Sequence, residues 1–206
     1  GSAVVHVVDD DDAVRDSLAF LLESSDFTVR TYASAADFLA VAGTFRTGCV
    51  LTDVRMPGMD GLTLQKQLVA RGCRLPVIVM TGHCDVPIAV QALTNGACDF
   101  LEKPFDDAAL LAAVRGAMAE SLRAEEAAAG AAELTERLAA LTPREREVLE
   151  RLVAGQANKT IAFDLGTSPR TVEVQRARVM EKMGARSLAE LVRMSLVLEG
   201  VARPPR

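Results

Sequence analysis

The stretch Val4-Val5-His6-Val7-Val8-Asp9-Asp10-Asp11-Asp12 runs from a β-branched apolar segment directly into four consecutive acids. Four valines in five positions favour a strand buried on both faces, the pattern of a parallel sheet rather than a one-sided antiparallel one. Further short apolar runs follow at 27–32, 49–51, 76–80 and 99–101. Amphipathic helical stretches separate them at 12–25, 34–42, 61–70 and 85–95. Strands alternating with helices of about ten residues predict βαβ units, and so an α/β doubly wound, five-stranded parallel sheet with helices on both faces. In such a sheet a ligand site opens outside the carboxyl ends of the strands.

Beyond residue 105 the strand signal stops. Residues 106–141 are rich in Ala, Glu, Leu and Arg, which predicts one long linker helix. Leu110, Val114, Met118, Leu134, Leu138 and Leu141 form an amphipathic stripe, while Gly116, Gly130 and an Ala-rich middle leave pairing as a coiled coil open. From Thr142 onward four helical stretches are expected: from Pro143 to a stop at Gly155, 158–165, 169–183, and one from Ser187 to about residue 198. Thr142 and Ser168 each precede a proline, a cap-then-Pro helix start. A short helix, a Gly-containing turn and a longer basic helix make an all-α, four-helix helix-turn-helix domain. The expected domains are therefore 3–118, a helical linker over 119–140, and 141–206.

The 206 residues carry a net charge of -5, which taken whole argues against a nucleic-acid partner. The charge is unevenly divided. Residues 142–206 hold 12 Lys and Arg against 8 Asp and Glu, a net of +4, and residues 1–141 hold 11 against 20, a net of -9. A basic module tethered to an acidic one predicts phosphate contact through the second module alone. Aromatics are 4% with no Trp, which disfavours base stacking on single strands. No apolar stretch approaches the roughly 20 residues of a membrane span. Gly1-Ser2 reads as an expression scar, and the early acids are unlike a signal peptide. Cys49, Cys73, Cys84 and Cys98 lack metal-ligand spacing and read as core thiols. The chain is thus expected to be soluble and cytoplasmic, with no membrane partner.

Strand ends collect the chemistry. The four acids Asp9–Asp12 close the first strand, Asp53 closes the third, Thr81 ends the fourth and Lys103 follows the fifth. A parallel sheet brings these to one edge, where clustered carboxylates favour a hard cation bound through oxygen, Mg2+ above all. A carboxylate beside a metal, a hydroxyl and a lysine can attack phosphorus and form an aspartyl phosphate. Asp11 or Asp12 is expected to cap the first helix, and spacing alone does not choose the metal ligands among the four acids. On the 169–183 helix, Val172, Val179 and Met183 share the core face. Arg170, Glu173, Val174, Ala177, Arg178 and Glu181 lie opposite, and the small and apolar residues among them suit close approach to a major groove. Lys159, Arg170, Thr171, Gln175, Arg178 and Lys182 are expected to reach phosphates; Glu173 could accept from a cytosine amino group and Val174 touch a thymine methyl.

Val7-Val8-Asp9-Asp10, Thr52-Asp53-Val54-Arg55-Met56-Pro57, Met80-Thr81-Gly82 and Glu102-Lys103-Pro104-Phe105 resemble the signature blocks of response-regulator receiver domains, which have the flavodoxin-like fold. The resemblance implies Asp53 as phosphoacceptor and Asp9, Asp10, Asp53 and the Arg55 backbone carbonyl as Mg2+ ligands. It also implies Thr81 and Lys103 as groups meeting the phosphoryl oxygens, Phe100 as the aromatic switch and a cis Lys103–Pro104 bond. Leu141 to Leu149, Asn158-Lys159-Thr160-Ile161-Ala162 and Ser168 to Val174 resemble the LuxR-type helix-turn-helix. With Thr81-Gly82-His83 and Asp85-Val86-Pro87, nearly all of 3–200 is similar to response regulators of the FixJ type. His83 is then a loop residue, and Gln175 departs from the ring that many relatives place there. The implied function is a transcription factor phosphorylated on Asp53 by a cognate sensor histidine kinase. It would become a homodimer on phosphorylation and bind promoter DNA beside RNA polymerase, mostly as an activator, and would not be an enzyme beyond its own phosphoryl transfer. The alternatives are an aspartyl-phosphate hydrolase, which needs an acid where Arg55 stands, and a phosphate store with little DNA binding.

Overall fold

The computed structural model describes residues 3–82 and 86–202. His83, Cys84 and Asp85 of the sequence reading lie outside the described residues. The chain forms two compact units, 1–126 and 127–206.

In the first unit the described strands are β1 (Val4–Val8), β2 (Thr28–Tyr32), β3 (Gly48–Asp53), β4 (Val77–Gly82) and β5 (Asp99–Lys103). They form one parallel sheet in the order β2-β1-β3-β4-β5. Alternate residues of the same strands go to opposite faces. Val5, Val7, Cys49, Leu51, Ile78 and Met80 pack under α1 (Asp12–Glu23) and α5 (Asp107–Ala139) through Leu18, Leu22, Leu110 and Val114. Val8, Val50, Val77 and Val79 meet α2 (Ala35–Val41), α3 (Gly61–Ala70) and α4 (Val86–Thr94) through Phe38, Leu64, Leu68 and Ala92. Both faces are covered, so the central strands are apolar without alternation.

The strands run further than their apolar stretches. β4 continues through Gly82 and β5 through Lys103, because Thr81 pairs with Glu102 and Gly82 with Lys103. Lys103 therefore ends β5 instead of following it, and Asp53, opposite Met80, is the last residue of β3. Ladder hydrogen bonds between parallel neighbours hold polar residues in extended form where hydropathy alone shows no strand.

His6 is an unusual polar residue in this core. It is fully buried, its Nδ1 shares a hydrogen bond with the Tyr32 hydroxyl at 3.1 Å, and its ring packs 4.2 Å from that of Phe45 and 5.1 Å from that of Phe38. Burial, with the nearby Arg30 charge adding to it, lowers its pKa from 6.5 to about 4. The unfolded chain thus binds the proton that the folded chain refuses, and stability present above pH 6.5 is lost as pH falls toward 4. The loss attributable to His6 should be about 3 kcal/mol between pH 7 and 4. Denaturant unfolding of wild type and His6→Phe at both pH values checks this: the variant's stability should fall less by that amount, and equal falls would refute the assignment.

α5 is a continuous helix of 33 residues that passes through Gly116 and Gly130. Its last turns, from Ala127, belong to the second unit. That unit contains α6 (Pro143–Val153), α7 (Asn158–Asp164), α8 (Pro169–Met183) and α9 (Leu188–Ala202). Leu141, Val148, Leu152, Ile161, Val172, Val179, Met183 and Leu191 make its core. Thr142 and Glu145 close a reciprocal capping box on α6, and Ser168 caps α8 ahead of Pro169. No described helix is long and apolar enough to cross a membrane. Cys49, Cys73 and Cys98 are free thiols.

Candidate functional site

The sheet's carboxyl edge brings Asp9, Asp53 and Lys103 together. Asp53 Oδ1 accepts from Lys103 Nζ at 2.6 Å, and Asp53 Oδ2 accepts from the Arg55 backbone N–H at 2.7 Å. Asp9 Oδ2 accepts from the same ammonium at 3.3 Å, and its Oδ1 from the Asp11 N–H at 2.9 Å. Asp9 is 2% exposed and Asp53 9%. Burial by itself would lower the Lys103 pKa, but the two carboxylates overcome it and hold the ammonium above its ordinary value. One cation between two carboxylates leaves the cluster net negative, which suits a further cation.

The structure sorts the four acids that spacing could not. Asp9 faces Lys103, while Asp11 caps α1 through the Ala13 and Val14 N–H groups. Asp12, itself exposed, pairs with the largely buried Arg15, and Asp10 is exposed beside the site. Thr81 is 4% exposed on β4, and its hydroxyl lies 3.5 Å from the Gly82 carbonyl. Phe100 is half-buried on β5. Arg15 was not visible as a site residue in the sequence; its guanidinium donates to the Asp9 carbonyl at 2.7 Å from the first turns of α1. Gly61 supports the other side. Its N–H donates to the Val54 carbonyl at 2.9 Å, and a Cβ there would drive into the Asp53 carbonyl. The Lys103–Pro104 bond is cis.

Among the described residues no three His, Cys, Asp or Glu side chains converge as a metal cage. Magnesium does not require one, since it keeps several waters and takes one or two carboxylates with phosphate oxygens. Two buried carboxylates with a neighbouring exposed one, in a net-negative cluster, fit that demand.

On α8, Val172, Val179 and Met183 are fully buried. Arg170, Thr171, Glu173, Val174, Ala177 and Arg178 are exposed on the other side, with Gln175 half-buried and Lys159 exposed on α7. Val174 is 47% exposed, an apolar side chain held in water between charged neighbours. Lys182 is exposed near the end of the same helix, and its ammonium bonds the Glu145 carboxylate at 2.7 Å and the Ala140 carbonyl at 3.3 Å within its own unit. Lys182, ahead of the Thr142 N–H, holds the Glu145 carboxyl below the usual range.

The comparisons with known proteins agree with both halves. The model of the response regulator receiver domain matches residues 5–115, and that of bacterial regulatory proteins of the LuxR family matches residues 139–195. The chain belongs to the response regulators that join these two modules. It is 61% identical to the transcriptional regulatory protein FixJ of Azorhizobium caulinodans, over 98% of this chain and 95% of that one. It is 50% identical to FixJ of Rhizobium meliloti, over 93% and 94%. Among solved structures, full-length FixJ from B. japonicum is 47% identical with a TM-score of 0.60, over 96% and 98% of the two chains. The response regulator StyR is 39% identical with a TM-score of 0.84, over 95% and 99%. The protein is thus a response regulator of the FixJ type, with a receiver module and a LuxR-type DNA-binding module.

Proposed function

We propose that Asp53 takes a phosphoryl group from a sensor histidine kinase, and that this state drives binding of promoter DNA through α8. The observation that carries the reading is Asp53 held between Lys103 and the Arg55 N–H at the open edge of the sheet. A carboxylate oxygen of Asp53 forms the new P–O bond while the donor's P–N bond breaks and the electron pair leaves with the donor imidazole. Lys103, already on Asp53, balances the negative charge carried onto it. Asp9, Asp10, Asp53 and the Arg55 carbonyl would hold Mg2+, which when bound neutralises phosphoryl oxygens. The Thr81 hydroxyl, held among the described residues only by a long 3.5 Å contact to its neighbour's carbonyl, is the group to turn toward the phosphoryl oxygens, and Phe100 to follow inward.

An apolar groove of about 370 Å3, lined by Ala13, Val14, Ser17, Leu18, Lys103, Pro104 and Phe105, opens beside the site and suits an apolar helix of the kinase. β5 is an edge strand, and Val90 and Leu93 of α4 are exposed next to it, a surface suited to homodimer contacts after phosphorylation. Two copies would then present two α8 helices to a two-fold operator, with Lys159, Arg170, Thr171, Gln175 and Arg178 on phosphates and Glu173, Val174 and Ala177 toward bases. The working domains are 3–118 and 141–206, joined by 119–140. The relatives named FixJ are transcriptional regulatory proteins, which supports transcriptional regulation by this chain; work in the cytoplasm beside RNA polymerase, as an activator, completes the proposal. The test is labelling by acetyl phosphate. One phosphoryl group per chain should be gained with Mg2+ and none with EDTA; metal-independent labelling would refute the site.

A further inference from the structure

Three helix ends meet in the second unit. Arg137, in the last turn of α5, donates from Nη1 to the carbonyl of Met183, the last residue of α8, at 2.8 Å. Its Nη2 bonds Glu133 one turn earlier, at 2.6 Å, so the guanidinium is aimed by its own helix. In return Lys182, near the end of α8, donates to the Ala140 carbonyl just past the end of α5 and bonds Glu145 at the start of α6. Each cation thus sits on carbonyls that the other helix leaves unpaired at its C-terminus, where the helix dipole favours positive charge. Gly184 completes the arrangement. It ends α8 in the left-handed region at φ 70°, and a Cβ there would collide with the Arg137 guanidinium. The left-handed backbone angle is what favours glycine here, and the absent Cβ also leaves the space that the Arg137 guanidinium occupies.

We propose that Arg137 is a positioning residue for DNA reading: it fixes the axial and rotational setting of α8 against the last turns of α5. The proposal rests on the reading of α8 as the DNA-contacting helix. Arg137 acts at Met183, which at 1.5 Å per residue lies about 13 Å along the axis from Val174. It therefore influences base contacts without making them. Base-edge hydrogen bonds depend on angle and distance and are lost by a small rotation of α8, whereas phosphate contacts by long flexible side chains survive it. Loss of Arg137 should consequently lower sequence discrimination more than general affinity.

The test uses the full chain as wild type, Arg137→Gln, Arg137→Lys and Gly184→Ala. Each is titrated with a duplex that the wild type selects from a random pool, and with a shuffled duplex of the same composition, across a range of salt. Arg137→Gln should label on Asp53 as wild type does, bind the shuffled duplex with an unchanged salt slope, and lose about tenfold in preference for the selected duplex. Gly184→Ala should lose preference in the same way, and Arg137→Lys, which keeps a donor but not the two-pronged geometry, should fall between. An unchanged preference with a slope lower by about one would make Arg137 a phosphate contact and overturn the proposal. Lower thermal stability with preference and slope both unchanged would make it structural only, and would overturn it too. If the wild type itself selects no sequence, the DNA reading fails, and amide exchange decides the clamp separately. The Ala185 N–H, which donates to Met180 across the end of α8, should exchange faster in Arg137→Gln, and equal exchange refutes it.

Discussion

Asp53→Asn should lose labelling by acetyl phosphate altogether, a fall of more than about 100-fold, while the chain stays folded. The amide has the shape of the carboxylate but no anionic oxygen to attack phosphorus. Its one carbonyl oxygen can accept from either Lys103 or the Arg55 N–H, while its NH2 group cannot accept from the other of the two donors that hold Asp53 now. Lys103 also keeps Asp9 as its charged partner, so no buried cation is left alone. Lys103→Ala is the more damaging change for the fold, because it leaves Asp9 and Asp53 facing each other without the ammonium between them. Intact mass after acetyl phosphate and Mg2+ reads the outcome. Full labelling of Asp53→Asn would place the phosphoacceptor elsewhere.

The second large effect is expected from α8. Arg170→Ala with Arg178→Ala should weaken binding to every duplex by roughly 10- to 100-fold at moderate salt, and lower the slope of log affinity against log salt by about two. Both side chains are exposed on the face away from Val172, Val179 and Met183. Phosphate contacts carry no sequence information, so the preference for a selected duplex should survive. Glu173→Ala is the opposite case: it should change which bases are preferred while the salt slope does not fall. A double variant with normal slope and altered preference would exchange the two roles.

The sheet was legible because a parallel strand buried on both faces leaves an unbroken apolar run, as in Val4–Val8. Its limits were not, because Thr81-Gly82 and Glu102-Lys103 are held extended by each other and not by hydrophobicity. The pocket could be placed at the strand ends from topology alone, yet the division of labour among Asp9–Asp12 depends on where α1 starts. That start turns Asp11 into a cap and leaves Asp9 to Lys103. The buried stripe of α8 could be read from spacing, since the periodicity of one helix is local. Lys182 could not, because its partners Glu145 and Ala140 come from other parts of the chain. Arg137 sits in an Ala- and Glu-rich helix with no motif around it, and Gly184 directly follows the 169–183 helix with nothing in its surroundings to mark it. Their contact exists only once α5 and α8 are packed.

We infer that the state of Asp53 governs DNA binding by α8. The most direct measurement is the affinity of the full chain for a selected duplex with Mg2+, in the presence and absence of beryllofluoride as phosphoryl mimic. Coupling of ordinary size predicts binding tighter by roughly 5- to 150-fold with the mimic, and no change in Asp53→Asn. Equal affinity with and without the mimic, at full occupancy of Asp53, would mean that Asp53 does not gate α8.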